Sequence, residues 1–540
     1  MIKWLNCFLT TFIILIIFGR HIVYSANFSI DQEINYTCNV QLKCKVASNI
    51  KLTNNTKDYF VSDYKMILGL KNISNVSSVI KNNAILTEIQ EEDDYKTILV
   101  RFDKPVLGVG ELADFSVNFE TEDIVKKVGR IYEINIPKVN KTEEIKNTSV
   151  NVFIPSSYGP LMYVSPKPNS VTKNDLVKYS FLNNQIYNDG VSIALGDFQI
   201  FNFEIYYELK NDSLVLSKEV FLPFPPDVEN QQKVYLTNVN EYPQSLTVDE
   251  NGNYIAKYTL KPNSVLNIKL YGVIKTFDRE INIDSGGNFR DIPEEMIQKY
   301  TKPQKYWETE DEKIAEMAVS LKNEGLNVSE NAYKAYLNVV NTLKYSKDRQ
   351  NAAQLERFGA RKALENPNNS VCMEFSDLTI AFLRAMKIPA REINGYAYSE
   401  DFNKKPLSVF YTDSKDLLHS WVEYYDPSFG WVQIDPTWGQ SSGLDYFSNL
   451  GTNHIVFVRK EIPTYPLPPG SYKTSQNEQK TVLITFGNDK FIEKDLKPIS
   501  SLITQENKNT SHKITFAFLL TLVMCTIFLV ARDLLRDPRR

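Results

Sequence analysis

The stretch His419-Ser420-Trp421-Val422-Glu423-Tyr424-Tyr425-Asp426-Pro427-Ser428-Phe429-Gly430-Trp431-Val432-Gln433-Ile434-Asp435 decides how this chain is read. Two runs rich in aromatic and β-branched residues flank Asp426-Pro427-Ser428-Phe429-Gly430, a run of turn-forming residues, so the segment predicts a β-hairpin. A hairpin centred near Ser428 sets Asp435 opposite Trp421 and diagonal to His419 on one face, within side-chain reach. An imidazole and a carboxylate that can orient it are thereby placed together.

Working outward, Cys372 to Met386 reads as a helix stopped by Pro389, and Arg391 to Tyr398 as a strand. Asn368-Asn369-Ser370 offers N-cap residues, which places Cys372 in the first helical turn, where backbone amides and the helix dipole favour thiolate. Further upstream Ile314, Met317, Ala318 and Leu321 recur at helical spacing, as do Tyr336, Val339, Val340 and Leu343. The spacing predicts an α+β domain over 301–461.

The chain has 540 residues but only 5 Cys and 4 His, so elimination narrows the chemistry quickly. Cys7 and His21 belong to an apolar N-terminal leader, while Cys525 and His512 belong to or abut a C-terminal apolar run. Tyr36, Cys38, Val40, Leu42, Cys44 and Val46 alternate with polar or small partners as one strand, in which the two cysteines stand roughly 20 Å apart. They are expected to be unbridged, buried fillers. His454, ahead of Ile455-Val456-Phe457-Val458, reads as the rim of a buried strand, Trp421, Trp431 and Trp438 as hairpin core, and Arg391 as the partner of a carboxylate. Cys372, His419 and Asp435 remain as nucleophile, base and orienter candidates. Neither a Cys-x-x-Cys nor a His-Glu-x-x-His occurs, and no Gly-rich phosphate loop does, so no metal or cofactor is expected.

The stretch from Val371 to Gly439 resembles the transglutaminase-like superfamily, a papain-related group of Cys-His-Asp enzymes. The matching pieces are Cys372-Met373-Glu374-Phe375-Ser376-Asp377-Leu378, Ile388-Pro389-Ala390-Arg391 with Gly395-Tyr396, His419-Ser420-Trp421-Val422-Glu423, and Gly430-Trp431-Val432-Gln433-Ile434-Asp435-Pro436-Thr437-Trp438-Gly439. The resemblance implies a papain-like fold, nucleophile Cys372, base His419, orienter Asp435, and peptide or protein amides as substrates. It is also similar to bacterial membrane-anchored proteins that carry such a domain behind β-rich regions. Ser370 stands where many members have Gly, and Ser420 where Ala often follows the histidine; the oxyanion donor is open between the Cys372 backbone N–H and a side chain that no motif marks.

The rest of the chain supplies context. Lys+Arg 61 against Asp+Glu 65 gives a net charge of -4, which disfavours nucleic-acid binding, and 43% hydrophobic residues describe folded protein. Period-two runs such as Phe201-Asn202-Phe203-Glu204-Ile205 predict two β-sandwich-like modules, 27–125 and 126–283, ending at the polar Asp284-Ser285-Gly286-Gly287-Asn288. Residues 1–26 read as a signal peptide, 462–513 as a Pro-rich and polar tether with one possible strand at Val482 to Phe486, 514–531 as a transmembrane helix, and 532–540 as a basic cytoplasmic tail. The expectation is a single-pass cell-membrane protein with its ectodomain outside and its C-terminus in the cytoplasm. Two functions are consistent with this: an acyl-transfer enzyme, or a catalytically silent anchored scaffold. Protease applied to intact cells should remove the ectodomain, and finding it protected while Arg540 is accessible would reverse the orientation.

Overall fold

Alternation in the sequence becomes alternation in burial. In the strand Cys44–Asn54, Val46, Ile50 and Leu52 turn inward while Lys45, Asn49 and Lys51 face solvent. The computed structural model describes residues 26–504 except 92–94, 189, 353–354, 400–401, 403–404, 408, 411–416, 473–479 and 488–495. The expected signal peptide, transmembrane helix and tail lie outside the described residues. Among the described residues no helix is long and apolar enough to cross a membrane.

The chain divides into two compact units, which meet in sequence at Asp197 and Phe198. In the first, the described residues form a ten-stranded sheet and a four-stranded sheet whose apolar faces share one core, including Val46, Ile50, Phe115, Val117, Ile134, Val152, Phe181 and Ile193. A border at 125/126 is not what the structure adopts, because the strand Phe28–Cys38 pairs in parallel with Ile145–Pro155 across it. The polar residues at 122–123 mark a turn, in which Asp123 accepts the backbone N–H groups of Lys71 and Asn72, and the next strand buries Val125 and Val128.

The reading of Cys38 and Cys44 as unbridged members of one strand is also overturned. They are joined by a disulfide, with Cα atoms 4.0 Å apart. The strand stops at Cys38, reverses over residues 39–43, and restarts at Cys44 directly opposite. Asn39 holds the turn by accepting the Gln41 and Lys43 backbone N–H groups through its side chain, and Leu42 takes a positive φ of 66°.

The second unit begins with a five-stranded sheet and a three-stranded sheet, followed by the predicted α+β region. The segment expected as a tether returns to this unit. Val482–Phe486 is a strand, as its alternation suggests, and pairs antiparallel with Gln199–Asn211, while Ile499 is buried in the same core. The helices Glu312–Leu321, Val328–Thr342 and Cys372–Ala385 lie where the periodicity places them. Their core includes Trp307, Tyr336, Phe375, Phe382 and Val422. The central strand Ala390–Ala397 is flanked by Leu417–Asp426 on one side and His454–Lys460 on the other.

Mass spectrometry without reduction should recover the Cys38 and Cys44 peptides as a linked pair, and unlinked peptides would restore the single-strand reading. A ring this short, with a sequence separation of 6, should stabilise the first unit by about 2 kcal/mol, read as the loss on changing both cysteines to serine.

Candidate active site

The hairpin forms with the register its turn residues dictate: Val422 faces Ile434, Tyr425 faces Trp431, and Gly430 closes the turn at φ 72°. This places Asp435 one residue beyond the paired strand, where it becomes the N-cap of the short helix Pro436–Ser442. Its Oδ1 accepts the backbone N–H groups of Thr437 and Trp438 at 2.9 and 3.1 Å. Oδ2 is left facing the sheet, and His419 donates to it from Nε2 at 2.9 Å. The cap thus fixes the carboxylate before the imidazole uses it.

His419 is fully buried between indoles, with ring centroids 5.8 Å from Trp421 and 5.4 Å from Trp438. Gly395 lies opposite His419 in the neighbouring strand, and a Cβ there would run into the Ile455 carbonyl oxygen and the Trp421 ring. Glycine is therefore the side chain that lets three strands close around the imidazole.

Cys372 is the first residue of its helix and is fully buried, without a disulfide partner. The capping differs from the expected Asn368-Asn369-Ser370 arrangement. Val371 is the N-cap residue, and Glu374 reaches back to accept the Val371 backbone N–H at 3.0 Å. Glu374 also accepts the Phe358 N–H and is paired with Arg349 at 2.9 Å. The thiol lies close enough to the His419 ring to act on its charge, and the ring's Nδ1 has no hydrogen-bond partner among the described residues. The three residues singled out in the sequence are thus gathered at the junction of one helix and one hairpin.

Electrostatics follow from that packing. Burial by itself pulls the His419 pKa down, but the charge and hydrogen bond of Asp435, joined by Cys372, push it up to about 9. For Asp435 burial acts upward, and the charge and hydrogen bond of His419, with those of His454, hold the carboxyl below the usual range.

His454 is the residue that sequence reasoning placed outside the site. It is buried and donates from Nε2 to Asp435 Oδ2 at 3.2 Å, the same oxygen that His419 uses. The pairing of the central strand with His454–Lys460 slips by one residue: Asn394 faces Val458, but Gly395 faces Val456 and Ala397 faces His454. Phe457 is the extra residue, and the slip turns His454 onto the face that carries His419. The ligand atoms of His419, Asp435 and His454 lie within 4.8 Å of one another, a spacing that could also hold a cation and one that counting histidines had discounted.

Behind the hairpin lies a second buried polar layer. Arg357 pairs with Asp377 and with Glu392 at 3.0 Å, and Glu392 accepts the Ser420 hydroxyl at 2.8 Å. Ser420 and Ser376 are 3.2 Å apart, so Ser420, which stands where Ala often follows the histidine, serves this network. Arg391 does pair with a carboxylate, Glu423, at 2.7 Å, and stacks on Trp431.

Residues 315–436 match the family model described as the transglutaminase-like superfamily, a span that contains Cys372, His419 and Asp435 and ends before His454. The chain thus carries a transglutaminase-like domain. Among curated proteins it is similar to the uncharacterized protein YebA of Bacillus subtilis, 37% identical over 81 residues, and to the protein-glutamine gamma-glutamyltransferase of Pseudomonas aeruginosa, 31% identical over 80 residues. These matches cover 14% and 15% of this chain and 11% and 12% of those proteins, so the chain spans about a tenth of the length of the curated relatives it matches. Among solved structures, a cysteine protease candidate from Cytophaga hutchinsonii aligns over 54% of this chain and 89% of its own, with a TM-score of 0.34 and 14% identity.

The raised His419 pKa has a definite sign for stability. The imidazolium's contribution is full below the ordinary value of 6.5 and is lost as pH rises through about 9. Asp435 behaves oppositely, contributing above its ordinary value of 3.8 and losing that contribution on acidification through its lowered pKa. Denaturant unfolding of the native protein and of His419→Gln, compared from about pH 5 to about pH 10, should give a stability difference that shrinks between about 6.5 and 9. A difference independent of pH would mean that His419 is neutral in the folded protein.

Proposed function

We propose that the protein is a thiol acyl-transfer enzyme acting on peptide or protein amides, with Cys372 as nucleophile, His419 as proton shuttle and Asp435 as orienter. The observation that carries this reading is one imidazole bonded to a capped carboxylate while its neighbour is a thiol at a helix start. The Cys372 thiolate attacks the amide carbonyl, and imidazolium protonates the departing ammonia or amine, leaving a thioester. His419, now neutral, takes a proton from water or from a primary amine as that group attacks, and the carbon–sulfur bond breaks to release acid or a new amide. Asp435 stays ionised throughout and holds the Nε2–H tautomer, so Nδ1 is the nitrogen available to the thiol.

The site is expected to work at the cell surface. The Cys38–Cys44 bridge supports placement outside the reducing cytoplasm, and the apolar run 514–531 with its following arginines would supply the anchor.

The test offers a glutamine-containing peptide with and without a primary amine and follows ammonia, amine incorporation and chain cleavage by mass spectrometry. Incorporation identifies a transglutaminase, acid alone an amidase, and cleavage a peptidase. Cys372→Ala should abolish turnover, and Asp435→Asn should lower kcat by about 10²- to 10⁴-fold while the fold persists. Turnover retained by Cys372→Ala would remove Cys372 as the nucleophile, and no turnover by the native protein on any of these substrates would leave a binding module.

A further inference from the structure

We infer that His454 is a positioning residue of the site: as a neutral imidazole it donates from Nε2 to Asp435 Oδ2 and so locks the carboxylate that orients His419. The inference rests on the acyl-transfer reading above and adds a fourth side chain to it. The geometry comes first. A carboxylate held only by the backbone N–H groups of Thr437 and Trp438 is fixed through Oδ1 and can still rock about that oxygen. The second oxygen takes two donors, from His419 at 2.9 Å and His454 at 3.2 Å, on the two strands that flank the central one. These two bonds clamp Oδ2 from both sides, so His419 cannot swing without stretching a bond that His454 holds.

The arrangement also fixes the protonation of His454. An ionised carboxylate only accepts, so Nε2 must carry the proton, and Nδ1 is buried with no hydrogen-bond partner among the described residues. Burial first, then the charges of His419 and Lys405, depress its pKa, while the hydrogen bond and charge of Asp435 only partly offset them. Among the described residues Arg279 lines the same small cavity. Two imidazoles on one carboxylate thus divide the labour: His419 takes the charge, and His454 stays neutral because it is buried and its neighbour is charged. Aromatic walls leave His454 little freedom, with Trp438 at 4.5 Å and Trp421 at 5.1 Å between ring centroids.

The experiment reads the ionisation of Cys372 in the full-length protein by iodoacetamide, following the Cys372 peptide by mass spectrometry. The ratio of the alkylation rate at about pH 6.5 to that at about pH 9.5 is used, because access to the buried sulfur cancels in it; an ordinary thiol of pKa about 8.5 gives about 0.01, and an ion-paired thiolate a value near 1. The native protein should give the high ratio. His454→Gln, whose amide nitrogen can occupy the place of Nε2, should stay within about threefold of it, whereas His454→Leu should lower it by about tenfold or more. His454→Asn, polar but too short to reach Oδ2, should fall with leucine and covers the case in which the leucine variant does not fold. A native ratio near 0.01 would remove the acyl-transfer reading itself. A high native ratio retained by the leucine and asparagine variants, or lost equally in glutamine at an unchanged Tm, would overturn the role of His454 alone.

Discussion

Everything at this site hangs on one carboxylate. Asp435 is buried, and a buried charge is tolerated only when its lone pairs are filled. Here two backbone N–H groups and two imidazole N–H groups fill them. The short helix that follows Asp435 is therefore more than a connection, since its first turn supplies half of the solvation that water would otherwise provide. The raised basicity of His419 and the suppressed basicity of His454 are two consequences of this one arrangement.

A second layer of buried charge holds the framework that presents the first. Arg357 lies against Asp377 from the Cys372–Ala385 helix and Glu392 from the central strand, so one guanidinium joins the helix to the sheet. Burial raises Asp377 to about 7 even beside that cation, while Arg357 and Lys460 keep Glu392 below its ordinary value against the same effect. Lys460, also buried, is pulled down to about 8. Removing Arg357 would leave two carboxylates without their main counter-charge, a change that typically weakens a fold by about 3–5 kcal/mol. The framework is specific because its interior is ionic and each partner has one correct place.

How much of this could be read in the sequence depends on whether the signal was local. The hairpin was legible because Asp426 to Gly430 are turn formers and the runs around them alternate, which fixes register without knowledge of the fold. The first-turn position of Cys372 was legible for the same reason, although its cap was assigned to the wrong residues because Glu374 reaches backward from inside the helix. Cys38 and Cys44 misled because Asn39, Gln41 and Lys43 mimic the polar face of a continuing strand; the sign of a φ angle at Leu42 is invisible to alternation. His454 was missed because Ile455-Val456-Phe457-Val458 is apolar throughout, and an apolar run carries no mark of the residue at which pairing slips. The return of Val482–Phe486 to the sheet was hidden by the polar residues around it, since its partner strand lies far away in sequence.

The slip at Phe457 makes the site a matter of parity. Side chains along a strand alternate between two faces, so the residues beyond the slip belong to one face or the other according to whether the count between them is odd or even. A substitution at Phe457 alters packing and leaves the count intact. Loss of Phe457 would only remove the extra residue and leave His454 opposite Ala397, whereas loss of Ile455 would bring His454 opposite Tyr396, on the other face, without touching any residue that bonds the carboxylate. Within this family of sheets, a chain could thus gain or lose the second imidazole in a single deletion step, with the hairpin, the helix and the thiol all unchanged.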